Sequence, residues 1–202
     1  MDANIPEQEQ GAAKDFRRQV TMETAEDAED MFLLAKERLL NVNEWKNIID
    51  GNSAEFQLCD HHGHPLLRHA HLGDYVKIDL PGPGPLSGGN SDWVHIEKVI
   101  YDDYPDENGE TISIQLRPTS APDKPNNETA HFFTDASTST IQIKRWGKIV
   151  AAYYHGRNEL PNTETDNVFD KVRNLAVATT AIVALSSVQW TNLLDGLLKE
   201  MP

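Results

Sequence analysis

Cysteine is almost missing from these 202 residues: Cys59 stands alone, so no internal disulfide framework exists and the composition fits a reducing compartment. Basic residues are scarce too, with 18 Lys and Arg against 32 Asp and Glu and a net charge of -14. Proteins hold nucleic acid by neutralising phosphates, and the adjacent pairs Arg17-Arg18 and Lys144-Arg145 make no basic stripe. Neither nucleic acid nor an anionic membrane surface is an expected partner. Long apolar runs are lacking as well. The longest, Leu175 to Leu185, is broken by Thr179 and Thr180 and falls short of the ~20 residues that span a bilayer. Met1 to Gln19 carries no apolar run of a signal peptide and no basic amphipathic pattern of a transit peptide. The expected location is the cytoplasm.

What is present reads as one α+β domain over residues 15–202, behind an acidic, disordered tail of residues 1–14. Phe16 to Met22 alternates as a short first strand. Thr24 opens a helix, with Asp27 three positions on and acids in the first turn, and Ala28, Met31, Phe32, Ala35 and Leu39 follow helical spacing. Trp45 to Ile49 forms a second, short helix. From Ser53 the period changes to two. Glu55–Cys59, Tyr75–Leu80, Trp93–Tyr101, Thr111–Leu116, Ser139–Lys144 and Lys148–Tyr154 alternate between turns rich in Gly, Pro, Asn and Asp. Counting the first strand, seven strands make a mostly antiparallel sheet. Past Pro161, Thr163 or Thr165 caps a long C-terminal helix whose apolar faces need cover on most sides.

Motifs with chemistry are few. Five of the eight histidines, His61, His62, His64, His69 and His71, fall within eleven residues, but the turn at Asp60 to Gly63 makes polar filler the simpler reading than a metal site. No metal and no cofactor is expected. The acidic turn from Asp102 to Glu110 fails as a calcium loop, because alignment on Gly109 puts Tyr104 and Gln115 at the first and last ligand positions. In the Gly82–Gly89 loop prolines remove the N–H groups a phosphate cradle needs, and a flexible lid is the alternative. There is no Gly-x-Ser-x-Gly elbow, and Cys59 on a strand is a small hydrophobe.

The order strand, helix, short helix, six strands, long helix resembles the START-like, helix-grip superfamily of polyketide cyclases and lipid transporters. The details that match are the Asn43-Glu44-Trp45 turn and the Leu72-Gly73-Asp74-Tyr75-Val76 approach to a strand. The segments Gly73 to Pro85 and His155 to Asn167 also resemble an uncharacterised family of small bacterial proteins. The superfamily resemblance implies a curved sheet wrapped on the C-terminal helix, with an apolar cavity between them.

The site expected from the residues is the stretch His155, Arg157, Asn158 and Glu159. It sets an imidazole, a guanidinium, an amide and a carboxylate between the last strand and a helix N-terminus. His95 and Glu97 on one strand face, with Arg117 and His131 on neighbouring strands, are further pocket-liners by alternation. The leading expectation is a binding module for a small, mainly apolar ligand. A cyclase- or hydrolase-like enzyme using His155 and Arg157 is the alternative. A structural protein that forms a homodimer through Leu175 to Leu185 and Trp190, Leu193, Leu194, Leu197 and Leu198 is the third.

Overall fold

The computed structural model describes residues 4–51, 53–79, 91–104, 108–122, 133–160 and 187–200. The chain runs β1 (Ala12–Thr21), α1 (Ala25–Leu40), a 3-10 turn (Val42–Glu44), α2 (Trp45–Ile48), β2 (Glu55–Cys59), β3 (Tyr75–Asp79), β4 (Ser91–Tyr104), β5 (Gly109–Thr119), β6 (Thr138–Trp146) and β7 (Ile149–Glu159). A last helix, α3, covers residues 187–197. The seven strands form one curved antiparallel sheet in the order β1-β7-β6-β5-β4-β3-β2, so the first strand closes on the last. This α+β layout is the one expected. The apolar run Leu175 to Leu185, the expected caps at Thr163 and Thr165, the Gly82–Gly89 loop and His131 lie outside the described residues.

Local chemistry explains the helices. Thr24 and Asp27 close a reciprocal capping box at the start of α1. At its other end the Trp45 indole N–H donates to the carbonyls of Arg38 (3.1 Å) and Leu39 (3.2 Å), two of the acceptors a helix leaves open. Arg38 does the same for α3, donating to the carbonyls of Gly196, Leu197 and Lys199. The α2–α3 contact is close enough that a side chain at Gly196 would run into the Ile48 carbonyl.

Strand alternation then divides the sheet. Ile96, Ile112, Ile114, Leu116, Ile141, Ile143, Val150 and Ala152 face the helices and join Phe32, Leu39, Trp45, Leu193, Leu194 and Leu197 in one buried cluster. Two ion pairs brace the fold. Arg145 binds Glu110 (Nε to Oε1, 2.8 Å), whose other oxygen accepts from the Tyr101 hydroxyl at 2.9 Å, and Arg68 grips Asp74 with two bonds of 2.6 and 2.9 Å.

Three boundaries differ from the sequence reading. β7 runs on to Glu159, so His155, Arg157, Asn158 and Glu159 are strand residues rather than a corner, because β6 pairs with β7 as far as Arg157 and β1 pairs with His155, Gly156 and, past a register shift, Glu159. β1 begins at Ala12, and the backbone from Glu7 to Gln10 is tied to Asn158, so hydrogen-bonded chain reaches into the stretch expected as a tail. Leu193, Leu194, Leu197 and Leu198 are buried within their own chain against α1 and the sheet, which removes them from an external dimer surface.

Leu194→Ala is therefore expected to cost about 2–5 kcal/mol, the range for an aliphatic truncation in a core, read from the urea midpoint. A change under about 0.5 kcal/mol, typical of a surface site, contradicts the packing described. Asp92, on β4 beside Ile78, is raised by burial from 3.8 to about 7. Its neutral form is favoured by folding, so stability is whole below pH 3.8 and falls as pH rises toward about 7. Melting temperatures from pH 4 to 8 check this: Asp92→Asn flattens the decline and is the more stable protein at the alkaline end.

Candidate functional site

The expected site residues fall on two different faces, and β7 decides which. Tyr154 and Gly156 point to the helix side, while Tyr153, His155 and Arg157 point away from it. On the far face Asp15 of β1 gathers two of them: Arg157 Nη2 donates to its Oδ1 at 2.9 Å, and His155 Nδ1 lies 2.5 Å from the same oxygen. Burial pushes the Asp15 carboxyl up, but the bonds and charges of Arg157 and His155 outweigh it and hold the group below its usual value. Tyr153 stacks parallel to the His155 ring, with the Arg17 guanidinium 5.4 Å above its centroid.

The same far face carries the β4 and β5 residues. Glu97 accepts from Arg117 Nε at 2.5 Å and from Gln115 Nε2 at 2.8 Å, and these partners overcome burial to hold its carboxyl low. His95 packs its ring on Tyr75, 4.9 Å between centroids. His95, Glu97 and Arg117 thus share a neighbourhood, apart from the His155–Asp15–Arg157 group. His131 lies outside the described residues.

Asn158 and Glu159 behave differently. Asn158 is left-handed (φ 56°), a strained backbone for a residue other than glycine, and its side chain holds the N-terminal segment. Its Oδ1 accepts from Glu9 and Gln10 N–H groups at 2.8 and 3.1 Å, and its Nδ2 donates to the Glu7 carbonyl. The β1–β7 register shifts here, between Ala12 and Lys14. The shift turns Glu159 over onto the helix side, into space kept open by Gly156, where any Cβ would collide with Glu159 Oε1.

Glu159 there meets Lys14 and Tyr154, and through Tyr154 Ser139, three residues that sequence reading passed over. Lys14 Nζ lies 3.1 Å from Glu159 Oε2, the Tyr154 hydroxyl donates to Glu159 Oε1 at 3.3 Å, and Ser139 Oγ sits 2.9 Å from the Tyr154 oxygen. The Tyr154 ring stacks between Phe16 and Trp190 of α3, at 5.7 and 4.9 Å. Burial, then the Glu159 charge, raise the Tyr154 phenol far above its usual range. Lys14 was hidden by its place in the expected tail; the signal available was Gly156 inside a strand pattern, which marks a bulge. An open cavity of about 240 Å³ lies elsewhere, rimmed by Glu37, Arg38, Asn41, Glu44 and Ile48 between α1 and α2, and touches none of these groups.

The histidine run is a surface turn: Asp60 accepts from the His62 and His64 N–H groups at 2.8 and 2.9 Å. Among the described residues no three His, Cys, Asp or Glu side chains converge on a point that holds a metal ion, and no helix is long and apolar enough to cross a membrane. Burial raises the Cys59 thiol, the opposite of what a nucleophile needs.

No protein-family model and no curated protein matches the chain. The solved structures similar to it are START-like, helix-grip proteins. The protein TTHA0849 from Thermus thermophilus aligns at 12% identity over 93% of this chain and 94% of its own, with a TM-score of 0.47. A STAR-related lipid transfer protein from Xanthomonas axonopodis aligns at 14% over 92% and 86%, TM-score 0.45, and truncated norcoclaurine synthase from Thalictrum flavum at 11% over 94% and 99%, TM-score 0.35. The likeness is one of fold and says nothing of what this chain holds.

The far-face group yields a pH test. Asp15 contributes stability above its unfolded value of 3.8 and loses it as pH falls through its lower folded value. Asp15→Asn is expected to melt lower than the parent at pH 7, with the gap closing in strong acid where both carry a neutral group. A constant gap across that range rules the pairing out as the cause.

Proposed function

We propose that the chain is a binding module for a small, mainly apolar ligand held between the sheet and the C-terminal helix. The observation that carries this is the division of the sheet. The helix side is walled by Ile96, Ile114, Leu116 and Ile141, with the Phe16–Tyr154–Trp190 stack at one end. A ligand on that wall gains about 25 cal/mol for each Å² of apolar surface it buries. Sites of this kind are mostly apolar with a few placed polar groups, and the helix side here has that composition.

The cyclase- or hydrolase-like reading needs His155 as a base and Arg157 as an anion holder on the ligand's side. Both point to the other face and are engaged by Asp15, so support for that reading is small. Dimerisation through the C-terminal helix loses the leucines of α3, which pack inside their own chain.

Native mass spectrometry of the purified protein, with displacement of an apolar fluorescent probe by fatty acids, alcohols and aromatic polyketides, is the test. The expected result is a co-purifying apolar molecule or displacement at micromolar concentration. Absence of both a co-purifying apolar molecule and displacement across the whole panel overturns the proposal.

A further inference from the structure

Among the described residues, the ion pairs Arg145–Glu110 and Lys14–Glu159 are largely buried on the helix side, while Arg68 reaches a buried Asp74 from the surface. Arg145–Glu110 and Arg68–Asp74 are closed by several hydrogen bonds each, and a buried pair left incomplete costs several kcal/mol. Lys14–Glu159 differs. The two side chains, 18% and 5% exposed, touch at 3.1 Å, yet the contact is not aligned as a hydrogen bond, and Lys14 Nζ and Glu159 Oε2 are buried without any such partner. Glu159 Oε1 is the oxygen served by Tyr154, and the Tyr154 oxygen is in turn beside Ser139. What remains open is one cationic donor next to one anionic acceptor.

The backbone is arranged to keep this pair inside. Asn158 holds a strained left-handed conformation, the register shifts beside it, and Gly156 leaves the volume that the Glu159 carboxylate occupies. A salt bridge serving only to join β1 to β7 needs none of this, since the far face already joins them through Asp15 and Arg157.

We propose that Lys14 and Glu159, with Tyr154 and Ser139 positioning the carboxylate, form the polar anchor of the ligand site, and that the anchor selects a hydroxyl head group on an apolar body. This rests on the binding-module reading above. A hydroxyl accepts one bond and donates another, so it completes Lys14 Nζ and Glu159 Oε2 together. A carboxylate pairs with Lys14 but brings a second negative charge against Glu159, and an ammonium has the reverse conflict. Because the anchor's own charges cancel, either charged head leaves a net charge in a water-poor site. An alkyl chain with no head leaves both atoms as they are.

The probes are 1-decanol, decanoate and decylamine at pH 7, three heads on one chain, titrated by calorimetry against the 202-residue chain. Decanol is expected to bind about tenfold or more tightly than either ion, the factor equal to one charge-assisted hydrogen bond. In the double variant Lys14→Met/Glu159→Gln all three are expected to bind within about threefold of one another. Equal affinities in the parent, or a preference for decanoate or decylamine, overturn the anchor while leaving the binding module standing. A parent that binds none of the three overturns both. The parent series needs no variant to fold, and a double variant that folds yet keeps the alcohol preference also overturns the assignment.

Discussion

Pairing of β1 with β7 is the contact on which the candidate site depends, because it joins residues some 140 positions apart and places charge on both faces of one sheet edge. Lys14 and Phe16 reach the helix side from β1, and Asp15 and Arg17 the far side, by the two-residue period of a strand. The irregular register near Asn158 then lets one β7 carboxylate cross to the helix side while Arg157, two residues earlier, stays on the other. The N-terminal backbone bound by the Asn158 amide secures that conformation, which local sequence would not favour.

The polar groups of the interior sort by how completely they are satisfied. Asp74 accepts from Arg68 twice and from the His71 N–H, and so fixes the turn at Gly73 (φ 90°) that leads into β3. Asn43 binds the Leu66 carbonyl and accepts from Leu58 N–H and Gln57, fastening the 3-10 turn to β2. Closed networks of this kind specify one geometry and hold nothing in reserve. The motifs that carried the family resemblance, around Asn43 and Asp74, belong to this class: they are devices of the fold. Among the described residues Lys14–Glu159 is a buried ion pair whose facing atoms are left open, as are single polar atoms such as Gln115 Oε1 and Thr140 Oγ1. An open pair of opposite charge is what separates a candidate site from architecture.

Much of the fold was legible in order. Period-two alternation marked all seven strands, and Thr24 with Asp27 marked the start of α1, because both signals are local and read from side chains a few residues apart. Strand ends were less legible. β7 continues through a polar stretch because two neighbouring strands supply its hydrogen bonds, and nothing in His155-Gly156-Arg157-Asn158 announces that. The stretch from His155 to Glu159 concentrates polar chemistry along the chain, but alternation across a bulge distributes its side chains between opposite faces.

The class of the domain, its acidic and nearly cysteine-free character, the strand count and the helix cap could all be read along the chain, since each follows from composition or from near neighbours. What touches what was settled by folding in three dimensions. Folding closed the first strand on the last, buried the α3 leucines against α1 rather than a second chain, gave His155 and Arg157 to Asp15, and brought Lys14 to Glu159. The physical reason is the same in each case: these contacts join residues far apart in the chain, and only the register between paired strands and the packing of helices on one face select them.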